Sequence, residues 1–408
     1  MTNANSKITD NKDFVKFWSA QSISMFGSVV TRDTLPVLAV LVLSADSVGV
    51  SLVMSVMSVA PLFIGFVAGV WVDRMRIKRI LIFCDLARAA LLVSIPCFYV
   101  SGYLTLELLI VEAFLLAATT AVAKISDQSL LPILVRQDQL MDGNSKLGIS
   151  EAVSEVGGAS LAGVLITIFT APFALIADAL SYLVSAGLLS KIKTDEVSKT
   201  EEKPVSGFWE EFKAGFDAVL ESISLKQLLT INSVMALFGG MIGALYVLYV
   251  LTDVGVSPLL LGLLTAVGGA GAIGGAILSS HVSKYADFPV IVFVCILIGA
   301  FGTLLIATVS GSYALMFAAL FIQQLVGDTA ITVMSIQMIT KQQAQTPNEL
   351  LGRVSSIFIV LPSTSNVVGL LIGGAFGAII GLRETLTIAS LGFILLAVFV
   401  YIFMVRKT

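Results

Sequence analysis

Residues 69–88, GVWVDRMRIKRILIFCDLAR, decide how the chain is read. Arg74, Arg76, Lys78 and Arg79, with Asp73, interrupt two long apolar stretches. Such a break is a tight cytoplasmic turn between two membrane helices. Outward from it the chain stays apolar: hydrophobic residues make up 57% of 408 positions, charged residues 12%, and mean hydropathy is +0.98. A soluble domain carries about 25% charged residues, so the composition points to a polytopic membrane protein.

A helix needs about 20 apolar residues to cross the hydrocarbon core. Twelve segments satisfy this, at 14–44, 47–72, 79–101, 104–132, 143–170, 172–191, 226–252, 258–281, 288–309, 312–340, 350–380 and 384–405. The cut before Pro172 follows from the fitness of proline for a first helical turn. Of 24 basic residues, 20 fall at the termini or on loops and helix ends after segments 2, 4, 6, 8 and 10; Arg383 falls opposite, and Arg32, Arg88 and Lys124 lie within segments. The positive-inside rule then puts both termini in the cytoplasm. The first 13 residues are polar and lack an apolar h-region, so no cleavable signal peptide is expected.

The longest break, 192–225, divides the chain into an N-terminal six-helix bundle (1–191), a cytoplasmic linker with an amphipathic helix (192–225) and a C-terminal six-helix bundle (226–408). The linker opens with a run of charges and continues as SGFWEEFKAGFDAVLES, residues 206–222, with Phe208, Trp209, Phe212, Phe216 and Val219 at helical spacing. That helix is expected on the inner membrane surface, or alternatively as a cap on the bundle. The halves echo one another weakly: Arg136 after segment 4 answers Lys341 after segment 10. A two-fold repeat is what a rocking transporter needs. Cys84, Cys97 and Cys295 are far apart within segments and read as packing residues, and His281 is the single histidine, so no metal site and no cofactor is expected. No Walker loop, H-E-x-x-H or G-x-S-x-G occurs, which argues against an enzyme. The short outer loops argue against a non-transporting receptor, and nothing points to nucleic acid.

Four stretches carry a family resemblance: FWSAQSISMFGSVVTRDTLPVLAVL (17–41), GVWVDRMRIKRILIFCDLARA (69–89), the 206–222 helix and PNELLGRVSSIF (347–358). They resemble the first helix, the helix 2–3 loop, the lead into helix 7 and the turn before helix 11 of the drug-efflux branch of the major facilitator superfamily, which includes macrolide-efflux proteins and the enterobactin exporter. The resemblance implies an all-α fold of twelve transmembrane helices in two pseudo-symmetric six-helix bundles. It implies a multi-pass protein of the bacterial cytoplasmic (inner) membrane, working as a monomer. Two departures stand out: Met75-Arg76 replaces the glycine usual in the loop, and 157–163, GGASLAG, keeps the small residues of helix 5 without its proline.

By this resemblance Gly69, Asp73, Arg74, Arg76, Lys78 and Arg79 form a gating loop, with Asp73 meeting the helix 11 start at Gly352 and Arg353. The basic residues serve equally as topology anchors. Asp85 and Arg88, three apart, share a helix face and can pair as a structural brace. Arg32 and Asp33 lie deep in helix 1, where charge is costly and faces water or a partner. Adjacent positions point about 100° apart, so the two are not expected to pair with each other. Glu112 and Lys124 on helix 4, Glu151 and Glu155 stacked on helix 5, and Gln324 and Asp328 on helix 10 complete the candidates for proton coupling or substrate contact. Glu151 and Glu155 either share a proton or pair with Arg32 or Lys124. Phe238, Tyr246, Tyr249 and Phe358 either line a cavity or pack.

The expected function is proton-coupled export (antiport) of an amphipathic small molecule, such as a drug, by alternating access. Its partners would be that organic substrate, protons and the lipid bilayer. A lysophospholipid transporter, or a siderophore or metal-chelate transporter, is the alternative and would lean on Arg32 and Lys124.

Overall fold

The computed structural model describes residues 8–72, 76–193 and 208–406. Fourteen α-helices follow in order: α1 Lys12–Leu41, α2 Ser47–Val72, α3 Ile77–Val100, α4 Leu106–Leu134, α5 Leu140–Phe169, α6 Ala171–Ser190, α7 Phe208–Glu221, α8 Ile223–Thr252, α9 Pro258–Val282, α10 Phe288–Thr308, α11 Tyr313–Ile322, α12 Asp328–Gln345, α13 Leu351–Ile380 and α14 Leu382–Val400. Among the described residues, twelve spans are long and apolar enough to cross a membrane. A helix satisfies most of its backbone polar groups along its own axis, which the lipid interior demands. The expected all-helical, twelve-span architecture is the one observed.

Cap chemistry fixes several starts. Asn11 opens α1 by accepting from the Asp13 and Phe14 amides, at 3.0 and 3.2 Å. Thr105 and Ser222 do the same for α4 and α8. Lys78 donates to the carbonyls of Ser190 and Ile192 at the end of α6, where a cation suits the helix terminus. The α5–α6 break falls at Thr170, with φ 69° and ψ 160°, and the α13–α14 break falls at Gly381, with φ 103° and ψ 161°. The two breaks share a positive φ with an extended ψ. Segment 10 is interrupted by a π-helical turn, Gln323–Gly327, between α11 and α12.

Two compact units are present. The first holds described residues 8–45, 56–72, 76–193 and 257–263; the second holds 46–55, 208–256 and 264–406. Each thus takes in a short helix start from the other half of the sequence. In the first unit α1 packs on α5 and α6, and α3 on α4 and α6. Gly163 of α5 meets the start of α9: a Cβ on it would lie 2.7 Å from the Pro258 carbonyl and 3.1 Å from Gly262 Cα. In the second unit α8 lies along α13 and α10 along α14. Small residues bring α8 and α13 together, since a Cβ on Gly373 would stand 2.7 Å from Met241 Cα. Ser47, at the start of α2, donates to Gly374 O at 2.8 Å.

Within the amphipathic segment, Phe208–Glu221 forms α7, and it packs on protein. Val219 is buried in the core of the second unit, and Gly215 lies against the Arg353 backbone at the start of α13.

Candidate functional site

A cavity of about 420 Å³ lies in the first unit, walled by α1, α2, α3, α4, α5 and α6. Six ionisable chains of opposite sign reach it: Arg32, Arg88 and Lys124 against Asp127, Glu151 and Glu155. They pair off. Arg32 Nη1 and Nη2 donate to Glu155 Oε1 and Oε2, both at 2.8 Å, a two-pronged bond between α1 and α5. Lys124 stands 4.0 Å from Glu151, and both are well exposed to the cavity, so this contact is weak.

Arg32 Nε also donates to Asp33 Oδ1 at 3.1 Å. This corrects the expectation that the neighbours do not pair. The 100° rule describes where two Cβ atoms point, while the long arginine side chain bends back to its neighbour. One guanidinium therefore serves two carboxylates, and Asp33 Oδ2 is buried without a hydrogen-bond partner.

Arg88 is 6% exposed and reaches the cavity wall. It donates to Asp85 Oδ1 within α3, and its guanidinium lies 4.0 Å from the centre of the Tyr182 ring. Asp127 accepts from Gln21, tying α4 to α1. Tyr182 exchanges a hydrogen bond with Ser28 at 2.8 Å. Gln21 and Tyr182 escaped the sequence reading. Gln21 was the available signal, an amide inside the apolar opening of segment 1, whereas a tyrosine in a span carries none. Glu112 is not on this wall; it is buried against α3 and accepts from Ser94 at 2.6 Å.

The second unit has its own cavity, about 780 Å³. Asn232, Gln323, Gln324, Gln342, Gln343 and Asp328 supply amides and one carboxylate. Tyr246 and Phe358 line it. Tyr249 instead is buried with its hydroxyl on Ile306 O at 2.7 Å, and Phe238 packs edge-on against Phe393.

Of the loop residues, Asp73 and Arg74 lie outside the described residues. Arg76 and Arg79 are exposed, Lys78 caps α6, and Gly352 is exposed one residue before Arg353, whose backbone meets α7. Gly69 lies within α2.

Comparison with known proteins supplies the wider setting. The sequence signature of a family described as transmembrane secretion effector, of the major facilitator type, matches residues 8–408. The uncharacterized MFS-type transporter YvqJ of Bacillus subtilis (strain 168) is 25% identical over 245 residues, which are 59% of this chain and 58% of that protein. The aligned region thus spans little over half the length of that relative. Among solved structures, the nucleoside transporter NupG is similar with a TM-score of 0.77 at 12% identity, over 96% of this chain and 99% of that one. The POT family transporter PepTSo is similar with a TM-score of 0.75 at 11% identity, over 97% and 98%. A bacterial homologue of the iron transporter ferroportin has a TM-score of 0.68 at 14% identity, over 94% and 98%. At these identities the likeness is one of fold.

Proposed function

Since the chain belongs to the transmembrane secretion effector family of major facilitator transporters, we propose that it is a proton-coupled exporter of amphipathic organic molecules, drugs among them, working by alternating access. The observation that carries the reading is the shared guanidinium of Arg32, bonded to Glu155 and to Asp33. One positive and two negative charges leave the group at minus one. A proton on Asp33 makes it neutral and leaves the Arg32–Glu155 fork intact. A site that alternates between these two states at the cavity edge can exchange a proton for substrate without dismantling its own scaffold.

The positive-inside distribution supports an orientation with both termini in the cytoplasm, in a bacterial inner membrane. The transporter works as a monomer in this reading. Two six-helix halves rock about the cavity walls, and the balanced charges of the first cavity hold its shape through the cycle.

The test is proton release from acidified everted vesicles, followed with a pH dye while lipophilic cations, macrolides and siderophores are added. Dequenching by one class, absent in Asp33→Asn with the protein folded and inserted, supports antiport through Asp33. Dequenching that survives Asp33→Asn removes Asp33 as the proton carrier. Silence from folded protein across the panel overturns proton-coupled export of these compounds.

A further inference from the structure

Among the described residues, Asp328 is the one formally charged side chain on the wall of the second unit's cavity. No hydrogen bond or ion pair joins its carboxylate to another described residue. The first cavity behaves oppositely, with its three basic and three acidic side chains present in equal number. A lone charge at membrane depth is costly and persists where a partner arrives from outside the protein.

The local backbone explains how the carboxylate is presented. In an unbroken α-helix, at about 100° per residue, Gln323 would point about 140° away from Asp328. The wider π-helical turn Gln323–Gly327 swings the two toward one face, and Gln323, Gln324 and Asp328 all reach the cavity. Across from them α9 has glycine at 268. A Cβ there would lie 2.9 Å from Gln324 Nε2 and 3.2 Å from Asp328 Cγ, so the missing side chain makes room for the carboxylate and amide together. Two more polar atoms on this wall, Gln323 Oε1 and Tyr246 Oη, are buried without a hydrogen-bond partner.

Between these polar groups the wall has a soft apolar part: Met235, Met334, Met338, Phe358 and Phe393. Methionine adapts to irregular shapes, and aromatic faces attract cations. The volume, about 780 Å³, is in the range that holds a drug-sized molecule.

We infer that the second unit's cavity is a binding site for amphipathic organic cations, with Asp328 as the countercharge and the methionine and phenylalanine wall holding the apolar body. This rests on the reading of the chain as an exporter of amphipathic compounds and names the substrate class. An anion would meet the carboxylate unscreened, and a neutral molecule would leave it unpaired.

The test uses the full chain in lipid nanodiscs and two probes of similar shape, tetraphenylphosphonium and the uncharged triphenylphosphine oxide, with binding read by equilibrium dialysis. Asp328→Asn is expected to weaken tetraphenylphosphonium at least ten-fold and to change triphenylphosphine oxide less than two-fold. Asp328→Glu is expected to keep most of the cation binding. Equal affinity of parent and Asp328→Asn for the cation, or no binding of it by the parent, overturns the inference. If the Asn variant does not fold, the parent decides. Tetraphenylphosphonium is expected to protect Asp328 from dicyclohexylcarbodiimide in peptide mass spectra, and lack of protection overturns the site. Proton release driven by neutral or anionic compounds, with no Asp328-dependent cation binding, removes the cation assignment and leaves the exporter reading standing. Asp328-dependent binding with no transport of any compound does the reverse.

Discussion

Arg32 grips Glu155 through two parallel hydrogen bonds of 2.8 Å, joining helices whose residues stand 123 positions apart in the chain. Lysine at this position has the charge and lacks the fork. Arg32→Lys is therefore expected to leave the protein folded while lowering transport at least five-fold, measured as substrate efflux from vesicles. Because both side chains are about half exposed to the cavity, the pair adds little to stability. A double-mutant cycle with Arg32→Ala and Glu155→Ala should give a coupling of no more than about 1 kcal/mol in thermal unfolding.

The Asp85–Arg88 pair is buried, with side chains 3% and 8% exposed. Removing one partner leaves a charge with no answer. Arg88→Leu alone should destabilise the protein by about 3–5 kcal/mol, and Asp85→Leu with Arg88→Leu should recover most of that. Thermal unfolding in detergent reads both. Equal melting of the single and double variants would contradict the pairing.

Thr170 has the same backbone conformation as Gly381 at the equivalent helix junction, but carries a branched side chain at φ 69°. That region of backbone space belongs to glycine. Thr170→Gly is expected to raise stability by about 1 kcal/mol, and Gly381→Thr to lower it by at least as much, because Glu384 also occupies the space a Cβ would need. Melting temperatures of the two variants should move in opposite directions.

Two glycines of α5 make a controlled comparison. Gly163 faces the Pro258 carbonyl and the Gly262 backbone, whereas a Cβ on Gly148 would meet nothing within 4 Å. Gly163→Val should cost about 1–3 kcal/mol through overpacking. Gly148→Ala should instead gain about 0.5–1 kcal/mol from helix propensity. A melting temperature for Gly163→Val equal to that of the parent would mean that α5 and α9 can separate freely at this point.

The twelve spans were legible because apolar length and the placement of basic residues are properties of local sequence. The π-helical turn was hidden: one extra residue per turn inside a 29-residue apolar run, 312–340, leaves no mark on hydropathy. The Arg32–Asp33 bond was missed because helical geometry places Cβ atoms and not the ends of long side chains. The Arg32–Glu155 pairing was one of two readings open for Glu155, and nothing local chooses between a partner on α1 and a shared proton with Glu151. Whether α7 lay on lipid or on protein was likewise open, since an apolar stripe says that a face is covered and not by what.

The exchange of helix starts at 46–55 and 257–263 bears on how such chains can be recombined. Residues 8–193 without the rest would lack the α9 backbone that covers Gly163, and residues 208–406 would lack the α2 serines that cover Gly374. A chimera spliced between 193 and 208 therefore inherits two mismatched contacts, far in sequence from its splice. Grafting 46–55 along with the second half, and 257–263 along with the first, would restore native neighbours at both. Inheritance of this architecture is in effect by interlocked parts, and a half-length chain is not a complete one.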